Sequence, residues 1–238
     1  PGSRIPAAMT YAILSDIHAN FQALQRVLDD AERLHIEQFI VCGDIVGYGA
    51  QPNECCRAIR EMSAVIVRGN HDEAAVRPAK EEWFTAAARA CIQWTRSALE
   101  EEHLAFLAEL QPVRQLPGAH VCHGSLPDPD LYTTGPLEAM ASVTVMEEQI
   151  CFLGHTHFAE WYTYRNDGRP PSQHPRPEGG HFELVEGRTY VINPGGVGQP
   201  RDGNSQASYA VWDQETRTVE IRRVSYDVAA AQRLIYEA

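Results

Sequence analysis

Three short apolar runs set the strongest limit on how this chain can fold. TYAILSD (10–16), FIVCGD (39–44) and AVIVRGN (64–70) each end in a polar side chain: Asp16, Asp44 and Asn70. Between the first two, ANFQALQRVLDDAERLH places Phe21, Leu24, Val27, Leu28, Ala31 and Leu34 at helical spacing, with Asn20 as the N-cap. Between the second and third, the Gly-rich turn GYGAQPN leads into a short helix, ECCRAIREM. This alternation predicts adjacent parallel strands joined by helical crossovers, an arrangement in which functional residues collect at the carboxyl ends of the strands.

Farther on the alternation breaks. Residues 81–110 read as one or two helices, a helical insertion able to overhang a site at the strand ends. Its Trp83, Phe84, Trp94, Leu99, Phe106 and Leu107 are assigned to packing, because an amphipathic helix requires such spacing. GAHVCHG predicts a fourth strand, GPLEAMASVTVMEE a helix and ICFLG a fifth strand. After His157 come AEWYTYR, HFELVEG, TYVINPG, SYAVWD and TVEIRRV, strand-like pieces of a second, more antiparallel layer. NDGRPPSQHPRPEGG between them reads as an exposed loop, and DVAAAQRLIYE as a closing helix. No repeat or clean boundary divides the chain, so residues 9–238 are read as one domain. PGSRIPAA (1–8) resembles a remnant of expression, with Met9 the native start.

Composition narrows the function classes. The 238 residues are 44% hydrophobic, enough for a sizeable core without staples. No apolar run approaches the roughly 20 residues of a membrane-spanning helix and no basic leader precedes an apolar stretch, which places the chain in the cytoplasm. Cys42, Cys122 and Cys151 sit in strand-like runs as small hydrophobes, and Cys55 and Cys56 adjoin in a helix, so the thiols are expected to be reduced. A formal net charge of −12 argues against broad nucleic-acid or anionic-membrane binding. An anionic substrate then needs a local positive charge, which bound metal ions supply. The sequence fixes no oligomeric state, and a homo-oligomer is compatible with it.

The metal reading rests on a set of motifs. In CFLGHTHFAE, His155 and His157 follow a strand and Gly154. A His-x-His pair is either ligating or simply hydrogen-bonded, and only partners elsewhere decide between the two. Those partners recur in order, each directly after a predicted strand: Asp16-x-His18, Gly43-Asp44, Gly69-Asn70-His71-Asp72, and His123-Gly124. Any one occurs by chance, whereas the ordered set after strands does not. His123 is preferred to His120 because it lies at the strand end. His35, His103, His174 and His181 are read as surface or loop residues.

From Tyr11 to Trp212 this set resembles the calcineurin-like metallophosphoesterases, and HGSLPDP with INPGGVGQPRDG resembles their small bacterial and archaeal phosphoesterase branch. The resemblance implies an α/β fold, an αββα sandwich of two mixed β-sheets flanked by helices. It implies two divalent transition-metal ions, one held by Asp16, His18, Asp44 and His157. Asp44, Asn70, His123 and His155 would hold the other, with Asp44 bridging. Imidazole and carboxylate donors suit Mn, Fe, Zn or Co better than Mg or Ca, with Mn favoured. Such a pair, about 3.5–4 Å apart, activates a bridging hydroxide and clamps the attacking and leaving oxygens of an in-line displacement. His71 would protonate the leaving oxygen; the alternative is a His that hydrogen-bonds behind the ligands.

Asp72 either orients His71 or starts the next turn. Gly195, Gly196 and Gly198 present backbone N–H groups to phosphate or serve turn geometry, and Arg201 is a phosphate contact or an ordinary surface-pair partner. Where phosphoprotein phosphatases carry an acid and an arginine after the G-D motif, this chain has Gly47 and Tyr48. The expected function is hydrolysis of small-molecule phosphodiesters or phosphomonoesters, nucleotides included. The rivals are a phosphoprotein phosphatase and a scaffold of the same fold that has lost catalysis.

Overall fold

The computed structural model describes residues 9–238, so the expectation for residues 1–8 lies outside it. As the alternation requires, β1 (Thr10–Leu14), β2 (Gln38–Val41) and β3 (Ala64–Ile66) are parallel neighbours in the order β3-β2-β1. The crossovers are α1 (Phe21–Arg33) and α2 (Pro52–Arg60). Asn20 caps α1 by accepting the Ala23 N–H at 3.1 Å, and Pro52 opens α2, where a missing N–H costs nothing.

The first sheet continues antiparallel from β1 through β11 (Ala207–Asp213), β12 (Thr218–Val224) and β9 (Gly180–Glu183). The second runs β4 (Val113–Leu116), β5 (Ala119–Cys122), β6 (Ile150–Phe152), β10 (Thr189–Pro194), β7 (Ala159–Tyr164), β8 (Ser172–Pro175), with β5, β6 and β10 parallel. The described residues therefore form two mixed six-stranded sheets flanked by helices.

Alternation along the strands explains the layering. In β1, Ala12 and Leu14 enter the core beneath the helices, while Ile13 enters the core between the sheets. In β10, Tyr190 and Ile192 face that inter-sheet core and Val191 faces outward. Both faces of these two strands are buried, which is why their runs are largely apolar rather than alternating with polar residues. Fully burying one such side chain is worth about 1.5–3 kcal/mol. On the helix side Leu24, Val27 and Ala31 of α1 meet Leu14 and Val41; outside the second sheet, α6 (Pro136–Val143) lays Ala139 over Cys122, Cys151 and Tyr162.

Several expectations are corrected. The strands after His157 do not make a separate layer. β9, β11 and β12 complete the first sheet, because β1 has an open edge on the side away from β2, and Tyr11 pairs with Trp212 there. The stretch read as a loop contains β8, whose residues SQHP pair with β7; a polar edge strand ending in Pro gives no period-two signal. β4 was likewise not legible, since VRQL has only two apolar residues.

The helical insertion resolves into a 3-10 helix (Pro78–Trp83), α4 (Ala86–Ala98) and α5 (Glu101–Glu109), after α3 (Asn70–Val76). Leu99 and Leu107 join the core as expected, with Ile92 beside them, but Trp83 is 85% exposed. His103 is buried, not at the surface, with Nδ1 at 3.3 Å from the Arg60 guanidinium. The chain closes with α7 (Val228–Glu237), which packs on α1. No helix among the described residues is long and apolar enough to cross a membrane.

Candidate metal centre

Loops from both sheets converge on one point. Asp16 and His18 follow β1, Asp44 follows β2 and Asn70 opens α3, whereas His123 follows β5 and His155 and His157 follow β6. Asp16, His18, Asp44, His155 and His157 all have φ between +48° and +68°, a region costly for residues with a Cβ and one that collects at functional sites. Hydrogen bonds between the loops hold them there: Asp16 N–H donates to Gly43 O (3.1 Å), His18 N–H to Asp44 O (2.9 Å) and Gly154 N–H to His123 O (2.8 Å). Two glycines permit the approach. A Cβ on Gly69 would stand 2.1 Å from Asp44 Oδ1, and one on Gly154 would stand 1.7 Å from Ser15 Oγ.

The donor chemistry asks for cations. His18 Nδ1–H donates to Val46 O (3.1 Å) and His157 Nδ1–H to Gln199 O (2.5 Å), leaving a lone pair on each Nε2. Those two nitrogens face each other at 3.1 Å, with Asp16 Oδ1 at 3.3 Å from His157 Nε2 and Asp44 Oδ2 at 3.6 Å from His18 Nε2. His123 repeats the pattern. Its Nδ1–H donates to Cys42 O (2.7 Å), and its Nε2 faces Asp44 Oδ2 (3.2 Å) and Asn70 Oδ1 (3.1 Å). His155 donates through Nε2–H to Asp130 O (3.2 Å), which frees Nδ1. Lone pairs turned on one another in a buried place repel unless a positive charge stands among them, so these residues fit divalent ions. Asp16, His18 and His157 form one group with donor atoms within 4.8 Å of one another, and Asp44, His123 and His155 form a second.

Electrostatics agree with the geometry. Burial holds His18 well below the ordinary imidazole range, with Asp44 only partly offsetting it. Burial and then His123 push His155 down to about 3, so both rings are neutral lone-pair donors. Burial also resists charge on His123, but the Asp44 carboxylate outweighs it and raises His123 to about 10. In the absence of a cation, a proton on that imidazole compensates Asp44; a cation held there would have to displace it.

Around the cluster the remaining sequence candidates separate. His71 lies within the same reach, its ring 4.9 Å from that of His18, and its buried Nδ1 has no hydrogen-bond partner. Asp72 does not orient His71: its carboxylate accepts the N–H groups of Ile45 (2.9 Å), Val46 (3.1 Å) and Gly69 (3.0 Å), tying the Asp44 loop to α3. His120 accepts the Glu147 and Glu148 N–H groups (3.1 and 3.3 Å), away from the cluster. Gly196 is buried behind His157, its carbonyl accepting the Ser208 N–H (3.1 Å), and is not among the cavity-lining residues. Arg201 does line the cavity, its guanidinium carbon 5.9 Å from the Tyr48 ring centre.

That cavity, about 580 Å³, opens over Asn70, His71 and His155. Sequence reasoning missed much of its wall. Tyr132 stacks on the His155 ring (3.7 Å between centres, 11° between planes), and Phe84 lies 4.7 Å from the His71 ring. Tyr132 stands in the aperiodic stretch 125–135, where no spacing signals a role, and Phe84 carried only a helical-packing signal.

Comparison with known proteins places this architecture. The calcineurin-like phosphoesterase superfamily domain matches residues 9–217. An uncharacterised protein of Methanocaldococcus jannaschii is 34% identical over 228 residues, covering 94% of this chain and 90% of that one. The crystal structure of a metallophosphoesterase from Sphaerobacter thermophilus superposes with a TM-score of 0.84 at 36% identity, covering 97% of this chain and 94% of that one. A hypothetical protein from Pyrococcus horikoshii shares the fold, with a TM-score of 0.77, 20% identity, and 96% and 93% coverage. Proteins of the superfamily bind divalent metals and hydrolyse phosphoesters. Matched by the family over residues 9–217 and built on the same two sheets as its metallophosphoesterase relative, this chain belongs to the calcineurin-like phosphoesterase superfamily.

Proposed function

We propose that this chain hydrolyses phosphodiesters or small phosphomonoesters, nucleotides included, with two divalent transition-metal ions, Mn favoured. The observation that carries the reading is the pair of lone-pair clusters sharing the Asp44 carboxylate, next to a cavity lined by Asn70 and His155. Asp16, His18, Asp44 and His157 hold one cation; Asp44, Asn70, His123 and His155 hold the other. Bound there, two divalent cations would supply a nucleophile from water at neutral pH and charge to offset the phosphoryl oxygens. The chain's own residues do the rest. The backbone carbonyls of Val46, Cys42 and Gln199 fix the tautomers of His18, His123 and His157. His71 gives a proton to the departing oxygen, and Arg201 contacts the phosphate from the cavity rim. Six free cysteines support a reducing compartment such as the cytoplasm.

The test is hydrolysis of bis(p-nitrophenyl) phosphate by Mn²⁺-reloaded protein, with elemental analysis beside it. Metal content should approach two equivalents per chain, and Asp44→Asn should lose about 100-fold or more, the scale for removing one preorganised electrostatic group. Arg201→Ala should lose less. A metal content of zero after reloading refutes the reading, and equal losses refute the bridging role of Asp44.

A further inference from the structure

The loop that carries His155 and His157 has an unusual span. It leaves β6 and enters β7, but these strands are not neighbours: β10 lies between them, pairing Ile192 with Phe152 on one side and Asn193 with Glu160 on the other. Residues 153–158 therefore arch over the carboxyl end of β10, and Asn193 stands in that end, 1% exposed. Every part of its amide engages. Nδ2 donates to Gly154 O (2.7 Å) and to Thr156 Oγ1 (2.9 Å), one contact on each side of His155, while Oδ1 accepts the Gly195 N–H (2.9 Å). The motif INPGGVGQPRDG, whose Gly196 does not line the cavity, thus reaches the cluster through its asparagine.

Chemistry selects an amide there. Gly154 O only accepts and Gly195 N–H only donates, so the side chain between them must offer donors on one side and an acceptor on the other. A carboxylate would set an oxygen against Gly154 O, and a methyl group would leave the buried Gly195 N–H without its acceptor. The arch needs such a hold, because His155 and His157 stand at φ +68° and +62°, a region costly for residues with a Cβ. Another tie comes from the first sheet, where Asp16 Oδ1 (3.2 Å) and Oδ2 (3.1 Å) share the His155 N–H. We propose that Asn193 is a positioning residue for both cations, setting His155 and His157 in ligating geometry before a cation arrives. It acts through the groups on either side of His155 and not on a ligand atom. The proposal rests on reading the cluster as a two-cation phosphoesterase site and adds to it the buried residue that shapes one of its loops.

Calorimetric titration of chelator-stripped protein with Mn²⁺, at a temperature where every variant is folded, reads this role without turnover. Asn193→Ala should raise the Kd by about 10- to 100-fold, the scale for a residue that orients ligands from behind. Thr156→Val keeps the shape, removes one of the two acceptors, and should raise it by about 2- to 10-fold. Asp30→Asn, which removes a tie of α1 to β11 and β12, should leave the Kd unaltered. In chelator, hydrogen exchange at the His155 amide should quicken by about 5- to 100-fold in Asn193→Ala, with the amides of β1 and β2 keeping the parent's rates. An asparagine that serves stability alone gives the opposite pair of results, a parent-like Kd and faster exchange throughout the chain. Either result in Asn193→Ala, or in Thr156→Val if the first variant does not fold, overturns the positioning role. A parent that takes up no Mn²⁺ refutes the phosphoesterase reading and this role with it. A parent that binds two equivalents, with variants that bind as tightly, refutes the role alone.

Discussion

His71 owes its position to two contacts that leave its function free. Its backbone N–H donates to Asp44 Oδ1 (2.9 Å), which fixes the residue beside the cluster, and its ring is held between Tyr48 (4.5 Å) and Phe84 (4.7 Å). Nothing consumes Nδ1. A general acid helps by about 10²–10⁴-fold, and mainly when the leaving oxygen is a poor one. His71→Ala should therefore lower kcat by that order for alkyl or ribose leaving groups and much less for p-nitrophenolate, with metal content near that of the parent. Loss of metal, or an equal loss on both substrate types, would assign His71 to the metal shell or to support of it. This residue was legible in sequence only as a His past Asn70; that its Nδ1 is unpartnered is a fact of packing.

Among the elements, α1 is fastened to the far half of its sheet by one carboxylate. Asp30 accepts from Tyr209 Oη of β11 (2.7 Å) and from Arg222 Nε of β12 (3.0 Å). Burial alone would raise its pKa, but those two donors outweigh it and hold Asp30 below the ordinary aspartate value. A carboxyl depressed in the folded state contributes stability at neutral pH, and that stability fades as pH falls below the unfolded value of about 3.9 and through the folded one. Asp30→Asn should cost about 1–3 kcal/mol at pH 7 in urea unfolding, with the gap to the parent narrowing below about pH 4. A gap independent of pH would mean that packing, not charge, is lost. Helix α1 was readable from its spacing and from Asn20, yet its tie to β11 and β12 spans 179 and 192 positions along the chain, beyond any local pattern.

For the whole molecule, the cluster acts as a rivet between the sheets. Asp16, His18, Asp44 and Asn70 come from strand ends of the first sheet, and His123, His155 and His157 from those of the second. A cation that binds only the folded state stabilises it by mass action, about 2.7 kcal/mol at 100 times its Kd. Mn²⁺ at that excess should raise the Tm by about 5–10 °C, and a chelator should reverse the shift. Asp44→Asn should abolish most of it. A Tm indifferent to Mn²⁺ and chelator would show that the two sheets dock without help from the donors.

The sequence by itself determined the parallel trio β1, β2 and β3, because apolar runs of strand length separated by helical spacing admit little else. It also determined which polar residues stand at strand ends, since each motif directly follows its run. Only the tertiary structure decided that β9, β11 and β12 extend the first sheet and that polar β4 and β8 pair at all, because strand partners are chosen by open edges and not by local period. It alone turned His18 Nε2 toward His157 Nε2, a meeting of residues 139 positions apart. It alone also brought Trp83 and Tyr132, from an insertion and an aperiodic loop, to the lining of one cavity. The candidate ligands follow from the chain's own punctuation, whereas the wall of the cavity beside them follows from how distant loops pack.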